Sequence, residues 1–333
     1  MLRSHRGAAC RAERRPSPRR GLFPHGPPRG SGPKPPRSGR SDRAGTRHQG
    51  DRRAMVRALA GRARMRVHAA SVAFRHQQVT AAGLAGYVAR HGFDGLEIWA
   101  PHAQALRAAW AALDRRPRVP MLAGYLPVGT PDFDLAQARA LVDLTGQWRA
   151  PCLRLFAGAI GAAQADADQR RAIAADLRRV ADLAAAHGLR LAIETHPGTL
   201  ADSPATAQTL LDALDHPAIG LNFDVLHIWE AGADPLAALH RLRPHVLHLH
   251  LKSVTDRAAL SVFAPANVHD PAGTRRGMCP LLQGAPDYRR FLTGLPDGLE
   301  GSLEWFGPDP AARMAADLVG IRACQRQALP ALG

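Results

Sequence analysis

The feature that most constrains this chain is an alternation of short apolar runs with longer amphipathic segments, sustained over some 240 residues. The runs cover 66–74, 93–99, 119–126, 152–157, 189–195, 219–224, 246–251 and 301–305. Each has a strand's length, and their near-continuous apolar character suits strands covered on both faces. Between them helical periodicity is clearest over 134–148, 168–187 and 204–214. His91-Gly92 and His187-Gly188 read as helix stops, because glycine readily takes the left-handed conformation that closes a helix. Eight strands alternating with helices over about 270 residues predict an α/β fold, a (β/α)8 barrel rather than an open sheet. The third strand is the least regular of the eight.

The first 64 residues stand apart. They hold 17 Arg and one Lys against three acids (Glu13, Asp42, Asp51), so nearly all of the chain's formal +16 lies there. With eight Pro, nine Gly and few aromatic or β-branched residues, this stretch cannot bury enough apolar surface to offset the entropy of ordering. The expected organisation is a disordered Arg/Pro/Gly-rich leader over 1–64, consistent with a true start at Met55 or Met65, and one catalytic barrel domain over 65–333. The leader has no apolar h-region of a secretory signal, and no run approaches the 18 apolar residues of a membrane span. Cys10, Cys152, Cys279 and Cys324 lack metal-site or disulfide-like spacing, which points to a reducing, cytoplasmic setting. A near-neutral body offers little charge for tracking phosphate, so its expected partner is a small-molecule substrate, with no nucleic acid and no membrane. Assembly into a homo-oligomer is left open.

In (β/α)8 barrels the chemistry sits at the C-terminal ends of the strands. Here the fifth strand ends Glu194-Thr195-His196-Pro197, the sixth Asn222-Phe223-Asp224, the seventh His248-Leu249-His250-Leu251-Lys252 and the eighth Leu303-Glu304. Period two places His248, His250 and Lys252 on one face and turns Leu247, Leu249 and Leu251 toward the helices. Buried unpaired charge is costly, and a divalent cation held by Glu194, Asp224, His250 and Glu304 would neutralise this rim. Three carboxylates with one imidazole suit Mn²⁺ or Mg²⁺, with Co²⁺ or Zn²⁺ as alternatives. His227, three residues after Asp224, is expected to line the site. Arg75 and His76 are placed either against substrate or in a rim salt bridge, and Trp305 is expected to form a pocket wall.

The runs ETHPGTLADSPAT (194–206), NFDVLHIWEAGADP (222–235), HLHLKSV (248–254) and SLEWFG (302–307) resemble the xylose-isomerase-like, metal-dependent TIM barrels. More narrowly, they are similar to the 3-dehydroshikimate dehydratases of petrobactin-type siderophore biosynthesis. AFRHQ (73–77), GFDGLEIWAPHAQ (92–104), LRLFAG (153–158) and the loop 262–288 extend the likeness from about Met65 to Gly307, leaving the leader unmatched. The resemblance implies a hydro-lyase that converts 3-dehydroshikimate to 3,4-dihydroxybenzoate (protocatechuate). It implies Glu194, Asp224, His250 and Glu304 as metal ligands and His196 as catalytic base. It further implies Arg154, Lys252 and Tyr125 as substrate contacts, with Arg154 clamping the substrate carboxylate, and Phe263 on the loop covering the site. Two departures stand out: the segment 103–120 is shorter, and His269 stands where a tyrosine is expected. The alternative is a sugar or sugar-phosphate epimerase or isomerase using Glu194 and Glu304 as paired proton carriers, which would need no histidine at 196. An abasic-site endonuclease would need a multi-zinc cluster with more ligands than these strand ends offer. A binding protein that kept the ligands would have no use for a poised base. The pathway served, siderophore assembly or quinate/shikimate catabolism, is left open.

Overall fold

The structure, a computed structural model, describes residues 64–327. Apart from Arg64, the leader expected over 1–64 lies outside the described residues. Eight parallel strands close into a barrel in sequence order, β8 pairing back to β1. They are β1 Arg66–Ala70, β2 Gly95–Trp99, β3 Leu122–Ala123, β4 Cys152–Leu155, β5 Arg190–Glu194, β6 Ile219–Asp224, β7 Val246–Leu251 and β8 Glu300–Leu303. Around them run α1 Ala81–His91, α2 Ala100–Ala111, α3 Leu135–Gln147, α4 Ala167–Ala186, α5 Pro204–Leu214, α6 Val225–Glu230, α7 Pro235–Leu242, α8 Pro265–His269, α9 Tyr288–Thr293 and α10 Pro310–Gln327. The (β/α)8 expectation holds.

Local chemistry sets the helix ends. Asp166 and Ser203 begin α4 and α5 as capping boxes with Gln169 and Thr206, each satisfying amide groups that the first turn leaves free. Gly92 closes α1 at φ 74°, as its place after His91 predicts. Outward strand residues such as Leu96, Ile98, Leu153, Leu191, Ile193, Leu249 and Leu251 are fully buried against the helices.

Three expectations shift. The first run divides: β1 stops at Ala70 and Ser71–Phe74 form a buried 3-10 turn. The third shrinks to two paired residues, because two residues of β2 face three of its partner. Leu96 N donates to Arg118 O and Ile98 N to Met121 O, which leaves Val119 and Pro120 bulged, and Pro120 has no N–H to give. The third concerns Leu247, which packs against Met121, Cys152 and Ala192 rather than the helices. The register slips between Leu221 and Asn222, so strict alternation fails before His248.

Candidate active site

By alternation with Cys152 and Ala192, the inner face carries Arg154 on β4 and Glu194 on β5. It continues with Asn222 and Asp224 on β6 and His248 and His250 on β7, all of them buried. His250 lies at the centre. Its Nδ1 is 3.5 Å from Glu194 Oε1, 3.5 Å from Glu304 Oε2 and 4.0 Å from Asp224 Oδ2. That nitrogen is buried and has no hydrogen-bond partner. Its Nε2–H donates to the two oxygens of Glu97, at 3.1 and 3.0 Å. An imidazole nitrogen without a hydrogen-bond partner, facing three carboxylates, belongs to a donor set that fits a hard or borderline divalent cation, and Glu194, Asp224 and His250 converge closely enough to share one. The four residues expected as ligands are thus brought together.

Cationic side chains balance the carboxylates. Lys252 Nζ donates to Asp224 Oδ2 (2.5 Å) and Glu304 Oε2 (2.8 Å). Arg154 Nε lies 3.0 Å from Glu194 Oε2, which also accepts from Asn222 Nδ2 at 3.2 Å. The Arg154 guanidinium stacks on Phe156 and Tyr125, 4.6 and 5.0 Å from their ring centroids. It is therefore a buried partner of Glu194 that also lines the cleft. Burial pushes the Glu194 carboxyl up, but His250 and Arg154 hold it well below the usual range. Burial opposes ionisation of Asp224 too, and Lys252 and then His227 bring it below its ordinary value. For His250, burial pulls the imidazole down while Glu304, Glu97 and Glu194 together hold it well above the ordinary histidine value. The cluster stays charged because its members neutralise one another.

His196 follows β5 in a tight turn. Its backbone N–H donates to Ala201 O and its carbonyl accepts from Thr199 Oγ1. Its Nδ1–H donates to the Pro197 carbonyl at 2.7 Å, so Nε2 carries the lone pair. The ring packs against Phe156 at 4.7 Å and edge-on to His227 at 4.5 Å. Burial, and then the neighbouring His227, lower its pKa to about 4, so it is a neutral base at pH 7. His227 Nδ1–H donates to Glu230 Oε2 at 2.7 Å, and its Nε2 is buried without a partner.

These groups open into a cleft lined by Tyr125, Arg154, Phe156, Glu194, His196, His227, Lys252 and Glu304. Phe263, Pro265, Val268 and His269 roof it, and Phe306 closes one side. All five residues expected to contact substrate (Arg154, Lys252, Tyr125, Phe263, His227) reach this space. His269 also lines it, stacked on Trp99 with centroids 6.1 Å apart. Trp305 does not line it: its Nε1 donates to Pro308 O, and Phe306 takes the place expected of it. Arg75 and His76 make neither a substrate wall nor a rim salt bridge. Arg75 donates from Nε to Val268 O (2.6 Å) and from Nη2 to Phe306 O (3.1 Å), tying the roof to the end of β8. His76 Nε2 adds a longer contact to the same Val268 carbonyl at 3.4 Å. Glu97, Asn222 and Glu230 are the polar residues that the sequence reading did not single out.

Residues 85–323 match the family model of the xylose isomerase-like TIM barrel. The chain belongs to that family. A 3-dehydroshikimate dehydratase of Bacillus anthracis is 32% identical over 267 residues, 76% of this chain and 95% of that protein. The crystal structure of the probable 3-DHS dehydratase AsbF, involved in petrobactin synthesis in Bacillus anthracis, superposes with a TM-score of 0.74 at 31% identity. The match covers 78% of this chain and 99% of AsbF. The fold, though little of the sequence, is shared with the IolI protein solved with a bound zinc atom (TM-score 0.59, 14% identity, 80% of this chain and 98% of that one). The narrower likeness to 3-dehydroshikimate dehydratases read from the strand-end motifs therefore extends along the barrel. Among the described residues no helix is long and apolar enough to cross a membrane.

Proposed function

We propose that this chain is a metal-dependent 3-dehydroshikimate dehydratase that forms 3,4-dihydroxybenzoate and water. The observation that carries the reading is His196, a neutral imidazole whose Nδ1 is committed to Pro197 and whose Nε2 is its basic atom, in the same cleft as Glu194 and Glu304, the two carboxylates nearest His250 Nδ1. A divalent ion, Mn²⁺ or Mg²⁺ by the oxygen-rich donor set, would be held by Glu194, Asp224, His250 and Glu304 and would supply Lewis-acid polarisation of the substrate's carbonyl.

The substrate's C4 proton is acidic because C4 adjoins that carbonyl, and the C5 hydroxyl is a β leaving group. His196 Nε2 removes the C4 proton. The proton passes from His196 to the C5 hydroxyl, which departs as water, and loss of a ring proton with protonation of the C3 oxygen aromatises the ring. Arg154, packed against the rings of Phe156 and Tyr125, presents its guanidinium to the substrate carboxylate. Lys252 bridges Asp224 and Glu304 and holds both in place, and Phe263 with Phe306 excludes water from the reacting ring. The product is a catechol carboxylate, and the likeness to AsbF favours siderophore assembly as its use.

The epimerase alternative asks Glu194 and Glu304 to carry protons. Glu194 is held by Arg154 and Asn222, and Glu304 by Lys252, which favours His196 as the base. The test is His196→Ala: it should keep wild-type metal content and lose the aromatic product. Full activity in that variant would remove His196 from the base role.

A further inference from the structure

Glu97 is 1% exposed and belongs to neither the expected ligand set nor the cleft lining. It comes from β2, flanked on the outward face by Leu96 and Ile98, and reaches into the barrel interior. Both its oxygens accept from one N–H, His250 Nε2, at 3.1 and 3.0 Å. With Nε2 committed to Glu97, Nδ1 is the ring nitrogen left without a hydrogen-bond partner, and it is the atom facing Glu194, Glu304 and Asp224. Glu97 is supported from behind: His248 Nε2 lies 3.6 Å from its Oε2 and 2.8 Å from Ser302 Oγ. His248 and Ser302 thereby form a layer beneath the ligands, each buried and neither touching the cleft.

We propose that Glu97 is the positioning residue of the metal site: by accepting the Nε2 proton of His250 it selects Nδ1 as the ligating atom and aims the ring at Glu194, Asp224 and Glu304. The inference rests on the reading of that cluster as the metal site. An outward partner on a metal-binding histidine fixes its tautomer and its orientation, and losing such a partner typically weakens metal binding by 10–100-fold. Glu97 also lies close enough to His250 and Glu304 to act as a ligand itself. Its oxygens, however, both face the ring edge opposite the one turned toward Glu194 and Asp224. A glutamine at 97 separates the two roles, since its amide oxygen still accepts from Nε2–H but is a weak ligand for a hard cation.

The experiment is Mn²⁺ titration of the full chain without substrate, with free Mn²⁺ read by electron paramagnetic resonance. Glu97→Ala is expected to weaken binding by roughly 10–100-fold, Glu97→Gln to stay near wild type, and Glu194→Gln to lose most binding. Equal affinity in wild type and Glu97→Ala overturns the inference, as does a Glu97→Gln as weak as Glu194→Gln. Should Glu97→Ala fail to fold, ¹⁵N-histidine spectra of the Zn²⁺-loaded wild type decide: a protonated Nε2 and metal-bound Nδ1 on His250 support it, and a metal-bound Nε2 overturns it. A wild-type chain that takes up neither Mn²⁺ nor Zn²⁺ overturns the metal-site reading, and this inference with it.

Discussion

Replacing Arg75 by Ala should loosen the roof of the cleft while leaving the barrel folded. Its guanidinium donates to Val268 O on α8 and to Phe306 O after β8, and it sits 4.9 Å from the centroid of the Phe306 ring. Burial and the neighbouring Arg275 lower its pKa to about 10, so it is still a cation at neutral pH. Hydrogen bonds from a charged donor contribute about 1.5 kcal/mol each at the low end suited to a half-buried group. A cation–π contact of this kind adds about 0.5–1 kcal/mol. The loss is therefore about 3–4 kcal/mol, confined to the segment 257–269 and the end of β8, and each 1.4 kcal/mol is a factor of ten in the opening equilibrium. Amide exchange of peptides covering 257–269 should accelerate by roughly two to three orders of magnitude, with strand peptides of β5 to β7 unchanged. Arg75→Lys, which can reach one carbonyl at a time, should fall between the two. Exchange in 257–269 that is unchanged by Arg75→Ala would refute the roof-tie.

Asp317 of α10 is buried and accepts the Leu281 N–H at 3.1 Å, and burial raises its pKa to about 6. A carboxyl raised in the folded state stabilises fully below its unfolded pKa, and that contribution is lost as pH rises through about 6. Wild type should therefore lose about 1–2 kcal/mol between pH 4 and pH 7 that Asp317→Asn does not lose, checked by melting temperature across that range. Gly95 sits where a Cβ would come 2.3 Å from the Arg118 carbonyl oxygen and 2.7 Å from His68 Nδ1. Gly95→Ala should cost about 1–3 kcal/mol by forcing the β2 to β3 approach apart, seen as a lower urea midpoint.

Strand order and the convergence of Glu194, Asp224, His250 and Glu304 were legible because each signal was local. β6 and β7 occupy the runs read for them, since each run is bounded by turn residues and carries its polar groups at the C-terminal end. The third strand was less legible, because a bulge at Val119 and Pro120 depends on how β2 counts against its neighbour. Leu247 misled for the same reason: alternation within a strand is blind to a slip in its partner. Glu97 lies in the middle of its strand, away from the C-terminal rim where the other polar groups gather. The signal was present, a lone acid inside the apolar run Leu96-Glu97-Ile98, which a buried strand tolerates only with a partner. That partner, His250, lies 153 residues away, and no spacing rule connects them. Arg75 and Trp305 were placed by their nearness to the rim, whereas their roles follow from which carbonyls the roof turns toward them.

Turnover of 3-dehydroshikimate by the isolated protein tests the proposed reaction. The purified chain loaded with Mn²⁺ is mixed with 3-dehydroshikimate, and the ultraviolet absorbance of 3,4-dihydroxybenzoate is followed with and without chelator. The proposed reaction requires steady formation of the aromatic product, abolished by chelation and restored by returning Mn²⁺. A folded, metal-loaded protein that leaves 3-dehydroshikimate unchanged would contradict it.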